Sequence, residues 1–203
     1  MVGYNRRFQA AAGEFRRIVT AIQGRKIFTS RFLRERRAES IFYEDILGHS
    51  LDFICSVAGP LRIESVRTFP PETPGAIFSG IKIEAVSDAG DCTFEIRPTC
   101  GRNIESYECQ GLQETAVLCY HPLEKLAAPP ELTRYTPGLR ECILAPSILE
   151  LQNLDALRYI QGFVHQMASF VRLVNGLDAG PYCSLHDAKS TAELIHRVLD
   201  VKV

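Results

Sequence analysis

One ten-residue stretch concentrates the groups that could move a proton. In Tyr43-Glu44-Asp45-Ile46-Leu47-Gly48-His49-Ser50-Leu51-Asp52 an aspartate, a histidine and a second aspartate stand at i, i+4 and i+7. On a helix these three share one face, with the apolar residues on the other. A carboxylate one turn from an imidazole orients it, raises its basicity and stabilises its protonated form. That pairing suits a general base that takes a proton from an alcohol. Asp45, near the helix start, is also favoured by the helix dipole. The same spacing is compatible with a solvated helix that carries a His–Asp pair and a capping acid, so both readings stand at this point.

Other reactive side chains are less organised. His121 precedes Pro122, His165 lies in a long helical pattern, and His186 and His196 fall in the last one. No two of them have metal-ligand spacing backed by a third ligand, so no metal is expected. The seven cysteines (55, 92, 100, 109, 119, 142, 183) are odd in number and contain no C-x-x-C pair. Reduced thiols in a cytoplasmic protein are expected, with Cys55 a packed core thiol rather than a nucleophile. G-x-S-x-G and G-x-G-x-x-G are both absent, so the chain holds no hydrolase elbow and no dinucleotide fingerprint of its own.

The elements that must hold this face are legible from periodicity. Residues 10–22 read as a helix with Phe15, Ile18, Val19 and Ile22 on one stripe, closed by Gly24. Ile27–Leu33 reads as a strand. Residues 44–58 form the amphipathic helix that carries His49, ended by Gly59-Pro60. Five strands are expected at 61–66, 77–86, 92–97, 104–109 and 116–120. In 81–85 and 93–97 apolar and polar residues alternate strictly, the mark of a half-buried antiparallel strand, with a turn at 88–91. Residues 68–75 and 121–146 are proline-rich and expected to be irregular. Leu154–Val174 reads as a long helix ended by Asn175-Gly176. Ser184, with Asp187 at N3, opens a last helix whose inner face is expected to be Leu185, Ala188, Ala192, Ile195 and Leu199. Helices on either side of a run of antiparallel strands predict an α+β fold, an open-faced sheet with helices on one side and polar residues on the other. Parallel βαβ alternation is not expected.

Composition agrees with a packed domain. The 203 residues are 46% apolar and 23% charged, with a net charge of −1. That excludes a disordered chain and any global field that would recruit nucleic acid or membrane. No run reaches the roughly 18 apolar residues of a membrane helix, and no signal peptide is expected. Residues 1–40 carry a net +7, from ten Arg/Lys against three Glu. These arginines lack interleaved aromatics, so a solvated helix face with one or two cations turned toward an anionic ligand is expected rather than a nucleic-acid arm.

Val2-Gly3-Tyr4-Asn5-Arg6-Arg7-Phe8, taken with the Asp45/His49/Asp52 helix, resembles the Gfo/Idh/MocA family of NAD(P)-dependent oxidoreductases. In that family a V-G-[FY]-x-R-R-[FY] segment is the last strand of the N-terminal Rossmann domain. A helix and a glycine step into a strand follow, here Ile22-Gln23-Gly24-Arg25-Lys26-Ile27, and then a D-x-x-x-H-x-x-D helix. Gly111 within 104–120, Phe163–Gly176 and Leu185-His186-Asp187-Ala188 are similar to later family segments. The resemblance spans essentially the whole chain. Two departures stand out: Ser40-Ile41 replaces a common glycine pair, and the Rossmann domain with its phosphate loop and E-K-P lysine is absent.

The resemblance implies a C-terminal, dihydrodipicolinate-reductase-like α+β domain over residues 10–203, preceded by a remnant of the last Rossmann strand and linker at 1–9. It implies His49 as the acid/base at a substrate hydroxyl or carbonyl. Asp45 is implied as partner of His49 and ligand of a substrate hydroxyl, Asn5 and Arg6 as substrate-facing, and Asp52 as supporting the site from behind or structural. The substrate would be a sugar, polyol or related hydroxy/keto compound. NAD or NADP would be bound mainly by the missing half, so this chain alone is expected to hold no cofactor and to be inactive. The expected partners are a Rossmann domain, in cis or in trans, and a second copy across the polar sheet face (Lys82, Glu84, Thr93, Glu95, Arg97). The alternative is a non-catalytic relative that senses a ligand or binds a protein.

Overall fold

The structure, a computed structural model, describes residues 4–34, 40–71, 79–97, 100–101, 103–120, 130–145, 162–178, 180 and 183–200; side chains of 40–45 are outside this description. A 3-10 turn, Asn5–Phe8, leads into α1 (Ala10–Ala21), β1 (Lys26–Leu33) and α2 (Ser40–Ala58). Seven further strands follow: β2 (Arg62–Phe69), β3 (Gly80–Ser87), β4 (Gly90–Arg97), β5 (Ile104–Gln110), β6 (Thr115–Tyr120), β7 (Pro130–Thr136) and β8 (Leu139–Leu144). Two helices, α3 (Phe163–Val174) and α4 (Leu185–Leu199), complete the described elements.

The eight strands form one open sheet in the order β2-β3-β4-β1-β5-β6-β7-β8. The expected open-faced, mainly antiparallel α+β architecture is present. Parallel pairing is the first correction: β1 runs parallel to β4, with Lys26 opposite Gly90. The chain leaves β1 through α2, builds the β2-β3-β4 meander and returns beside β1. A crossover that contains a helix permits this. Gly90 is required there, because a Cβ would lie 1.8 Å from the Lys26 carbonyl oxygen.

Period-2 alternation decides which face is covered. Phe28 and Phe32 of β1, Ile81 and Ile83 of β3, Phe94 and Ile96 of β4, Tyr107 of β5 and Leu118 of β6 are all buried on the helix side. The other face carries Lys82, Glu84, Thr93, Glu95 and Arg97, all exposed or half-buried. Surface ion pairs lace it, including Lys82–Glu84 at 2.8 Å and Arg97–Glu95 at 2.9 Å. α1 covers β6 and β7, α2 covers β1 and β4, and α4 packs on α2. Each fully buried Leu, Ile or Phe in this layer contributes roughly 1.5–3 kcal/mol.

Three more expectations change. The 121–146 segment is not irregular throughout, because β7 and β8 extend the sheet from Pro130; this proline is the first residue of its strand and precedes the β7–β8 register, which begins at Leu132, so its missing N–H costs little. His121 and residues 154–161 of the expected long helix lie outside the described residues. α4 buries Thr191, Leu194 and Val198, while Leu185 is 77% exposed. The inner face thus shares Ile195 and Leu199, both half-buried against the core, with the expected stripe, but centres on Thr191, Leu194 and Val198 rather than on Leu185 and Ala192. The capping box at its start is as expected: Asp187 N–H donates to Ser184 Oγ at 3.1 Å and Ser184 N–H to the Asp187 carboxylate at 2.9 Å.

Candidate functional site

α2 is buried far more completely than a surface helix. Leu47, Leu51, Phe53 and Ile54 are fully inaccessible, and so are the polar residues Ser50 and Asp52. Ser50 Oγ lies 2.7 Å from Ser30 Oγ of β1, which ties the helix to the central strand. The solvated-helix reading therefore fails for this segment, and its polar side chains need internal partners.

Those partners sort the predicted residues into two clusters. His49 is half-buried, and its ring meets Tyr4 edge-on with centroids 5.9 Å apart. Tyr4 reaches it across Gly48, where a Cβ would sit only 3.2 Å from the tyrosine ring. Behind them Glu105 of β5 takes a two-pronged salt bridge from Arg6, Nε donating at 2.5 Å and Nη2 at 3.0 Å. Arg34 Nη2 donates to the same carboxylate at 3.3 Å, as does the Tyr107 hydroxyl. The Arg6 guanidinium also sits over the Tyr120 ring at 5.6 Å, and the Tyr120 hydroxyl bonds Gln9 Oε1.

The electrostatics of this cluster are lopsided. Burial alone would raise the Glu105 carboxyl; Arg6, then Arg34 and His49, overcome it and hold the group below its ordinary value of 4.5. Burial pushes both the Tyr107 and Tyr120 hydroxyls upward, so they act as neutral donors. Among the described residues, two guanidiniums share one carboxylate, an excess of one positive charge in this cluster. Such a site favours oxygen-rich or anionic ligands.

Asp52 belongs to the second cluster. Arg7 donates to it through Nε at 3.0 Å and also through Nη2, and Cys183 Sγ lies 3.6 Å from Oδ1. Burial nevertheless pushes the Asp52 carboxyl up. Its described partners are Arg7 and Cys183, not His49. Asn5 is 4% exposed in the 3-10 turn. Asp45 is carried by α2 one turn before His49, and its side chain is outside the described residues. Arg6 and His49 are brought together through Glu105; Asp52 is diverted to Arg7.

The sequence reading missed Glu105, Arg34, Tyr107 and Tyr120. One signal could have found Glu105. It shares strand parity with Tyr107 and Cys109 rather than with Ser106 and Glu108, so an inward carboxylate was legible from period 2. No described group of three or more His, Cys, Asp or Glu side chains could hold a metal ion. All seven cysteines are free, and burial lifts Cys55 to about 12, which marks a packed thiol rather than a nucleophile. No described helix is long and apolar enough to cross a membrane.

No protein-family model matches the chain, and no curated protein matches it in sequence. Solved structures do match in fold. An oxidoreductase from Agrobacterium radiobacter, in complex with NAD+, L-tartaric acid and magnesium, superposes with a TM-score of 0.71 at 16% identity, covering 100% of this chain and 63% of its own. An oxidoreductase domain protein from Kribbella flavida gives 0.71 at 20% identity, covering 98% and 62%. A levoglucosan dehydrogenase in complex with NADH and L-sorbose gives 0.66 at 14% identity, covering 98% and 62%. The chain thus spans about three-fifths of the length of the structures it matches. Its fold is that of the α+β portion of these oxidoreductases, the fold implied by the Gfo/Idh/MocA resemblance.

Proposed function

We propose that this chain is the substrate-binding and oligomerisation domain of an NAD(P)-dependent oxidoreductase of Gfo/Idh/MocA type. The substrate is a sugar, polyol or related hydroxy/keto compound. The observation that carries this reading is the position of His49. It is half-buried on a rigid helix, braced by Tyr4, and within the field of the Arg6–Glu105–Arg34 cluster.

In this reading His49 takes the proton from a substrate hydroxyl, or returns it to a carbonyl. Asp45, one turn earlier, holds the substrate hydroxyl and orients the imidazole. Arg6 is committed to Glu105, so it shapes the site's charge rather than gripping substrate as a lone cation. Asn5 belongs to the same substrate-facing turn. Asp52 is structural, because its carboxylate serves Arg7. The residues present do not fit a dinucleotide: the chain has no G-x-G-x-x-G loop. NAD or NADP is held by the part of the whole protein that this chain does not span, and hydride transfer is that cofactor's chemistry. The chain alone is inactive, works in the cytoplasm and pairs with a second copy through its polar sheet face.

The test is His49→Ala in the whole protein. Turnover should fall by about 10²–10⁴-fold with substrate affinity kept within a few-fold. Unchanged turnover sinks the catalytic assignment. An intact biological output from that variant would support the non-catalytic ligand sensor, a reading favoured by the internal commitment of Arg6.

A further inference from the structure

α3 is amphipathic in reverse. Phe163, Met167, Phe170, Val171 and Val174 recur at helical spacing and form one stripe. That stripe faces solvent: Val174 is 68% exposed and Met167 60%, and Phe163, Phe170 and Val171 are close to half exposed. The opposite side is polar and faces the body of the domain, with Ser169 buried and His165 and Gln166 half-buried. A surface helix ordinarily turns its apolar stripe inward. Exposed apolar side chains that lie side by side, rather than scattered, mark an interaction surface.

The helix is pinned in this orientation at both ends. It packs against the 3-10 turn at Asn5–Phe8. Gly162, just before it, abuts that segment so closely that a Cβ would lie 2.6 Å from the Asn5 carbonyl oxygen and 3.0 Å from the Gln9 nitrogen. At the other end the Asn175 and Leu177 N–H groups donate to the Val171 and Arg172 carbonyls at 3.2 and 2.9 Å.

Composition says what kind of surface can cover the stripe. Arg172 is the one charged residue between Phe163 and Val174, and its Nε donates to the Asp178 carbonyl at 2.6 Å. A helix that lies on a membrane carries a polar face rich in Lys and Arg, which α3 lacks. A protein surface is therefore favoured. It must itself be apolar, because a charged one would be desolvated against the stripe without a counter-charge.

Position names the partner. The 3-10 turn that α3 packs on lies within residues 1–9, the expected link to the cofactor-holding part. The matched structures run on for about two-fifths of their length beyond the portion this chain matches. A body joined through that link emerges beside α3 at high effective concentration, so even a modest apolar contact is filled.

We propose that the cofactor-holding part of the oxidoreductase docks on the apolar face of α3 through an apolar surface of its own. The inference rests on the dehydrogenase reading. Its consequence is a fixed angle between the two parts, since a hydrophobic interface restrains a domain motion that a bare linker leaves open. Tyr4, which meets His49, sits in the same linking segment.

Met167 supplies the probe, because Met1 is the one other methionine. Hydrogen peroxide converts an accessible thioether to its sulfoxide, and peptide mass spectrometry reads the rate. Met167 should oxidise several-fold more slowly in the whole protein than in the 203-residue chain. Equal rates overturn the proposal. So does protection in the 203-residue chain that grows with its concentration, which assigns a second copy, or protection that appears only with phosphatidylserine vesicles, which assigns a membrane. The variant M167E/V171E alters exposed positions, so the melting temperature of the 203-residue chain should hold. In the whole protein it should raise hydrogen exchange over 163–174 to the level of that chain; unchanged protection there overturns the docking. Fluorescence titration with NADH tests the reading separately. NADH bound by the whole protein with Met167 fully reactive defeats the docking alone. A protected Met167 without NADH binding defeats the dehydrogenase reading and leaves the remaining chain docked on α3.

Discussion

Two buried carboxylates show how differently the same group is used in one molecule. Glu105 is shared by Arg6 and Arg34 and is 2% exposed; Asp52 is fully buried against Arg7. Removing one partner of a buried pair costs far more than the pair contributes, because the remaining charge is stranded. Glu105→Ala should therefore destabilise the chain by about 3–5 kcal/mol in urea unfolding, and a loss below about 1 kcal/mol would argue against the buried pair. The pH dependence has a definite sign. Folding holds Glu105 below its ordinary 4.5, so in the acid range the unfolded state binds more protons and stability rises with pH. The contribution is fully present above about pH 4.5 and is lost as pH falls through the lower folded value. Thermal melts of the natural chain should fall more steeply below pH 4.5 than those of Glu105→Gln.

At the scale of elements, α2 does two jobs at once. Its first half presents His49 to Tyr4 and the Glu105 cluster; its second half buries Asp52 and walls a cavity against α4. The helix itself was legible, since Ile46, Leu47, Leu51, Ile54 and Ala58 recur at helical spacing and are all buried. Its partners were not. The D-x-x-x-H-x-x-D spacing places three side chains on one face but cannot say that Asp52 answers to Arg7. The parallel β1–β4 pairing was equally hidden, because pairing across 64 residues leaves no local periodic trace. Gly90 is where that pairing can be tested. Gly90→Ala puts a Cβ 1.8 Å from the Lys26 carbonyl oxygen and should cost at least about 2 kcal/mol. Hydrogen exchange should locate the damage at 26–33 and 90–97; a stable variant with unchanged protection there would contradict the register.

At the scale of the molecule, the described helices cover one side of the sheet. The opposite, polar face mixes charges of both signs, among them Arg31 and Glu95 at 4.0 Å. Such a face can meet a second copy through polar and ionic contacts, which salt screens. Light scattering should show self-association that weakens as ionic strength rises from about 0.1 M to 1 M, where the Debye length shrinks from about 10 Å to about 3 Å. A monomer at every salt concentration would remove the oligomerisation role. α3 adds a different feature: Met167, Val171 and Val174 are more than half exposed along one side of it. The helix packs against the 3-10 turn at Asn5–Phe8 rather than into the sheet core, so its apolar periodicity did not translate into burial.

Sequence alone determined what local periodicity encodes. The α1 stripe of Phe15, Ile18 and Val19, the alternation of β3 and β4, the Ser184/Asp187 cap and the helix that holds His49 all follow from residue order and the two backbone periods. Tertiary structure alone decided which charges meet. Arg6 and Arg7 are neighbours in sequence, yet one turns to Glu105 and the other to Asp52, 99 and 45 residues away. The physical reason is that ionic partners interact through space at a few ångströms, and only the packing of α2 on the sheet brings those groups that close.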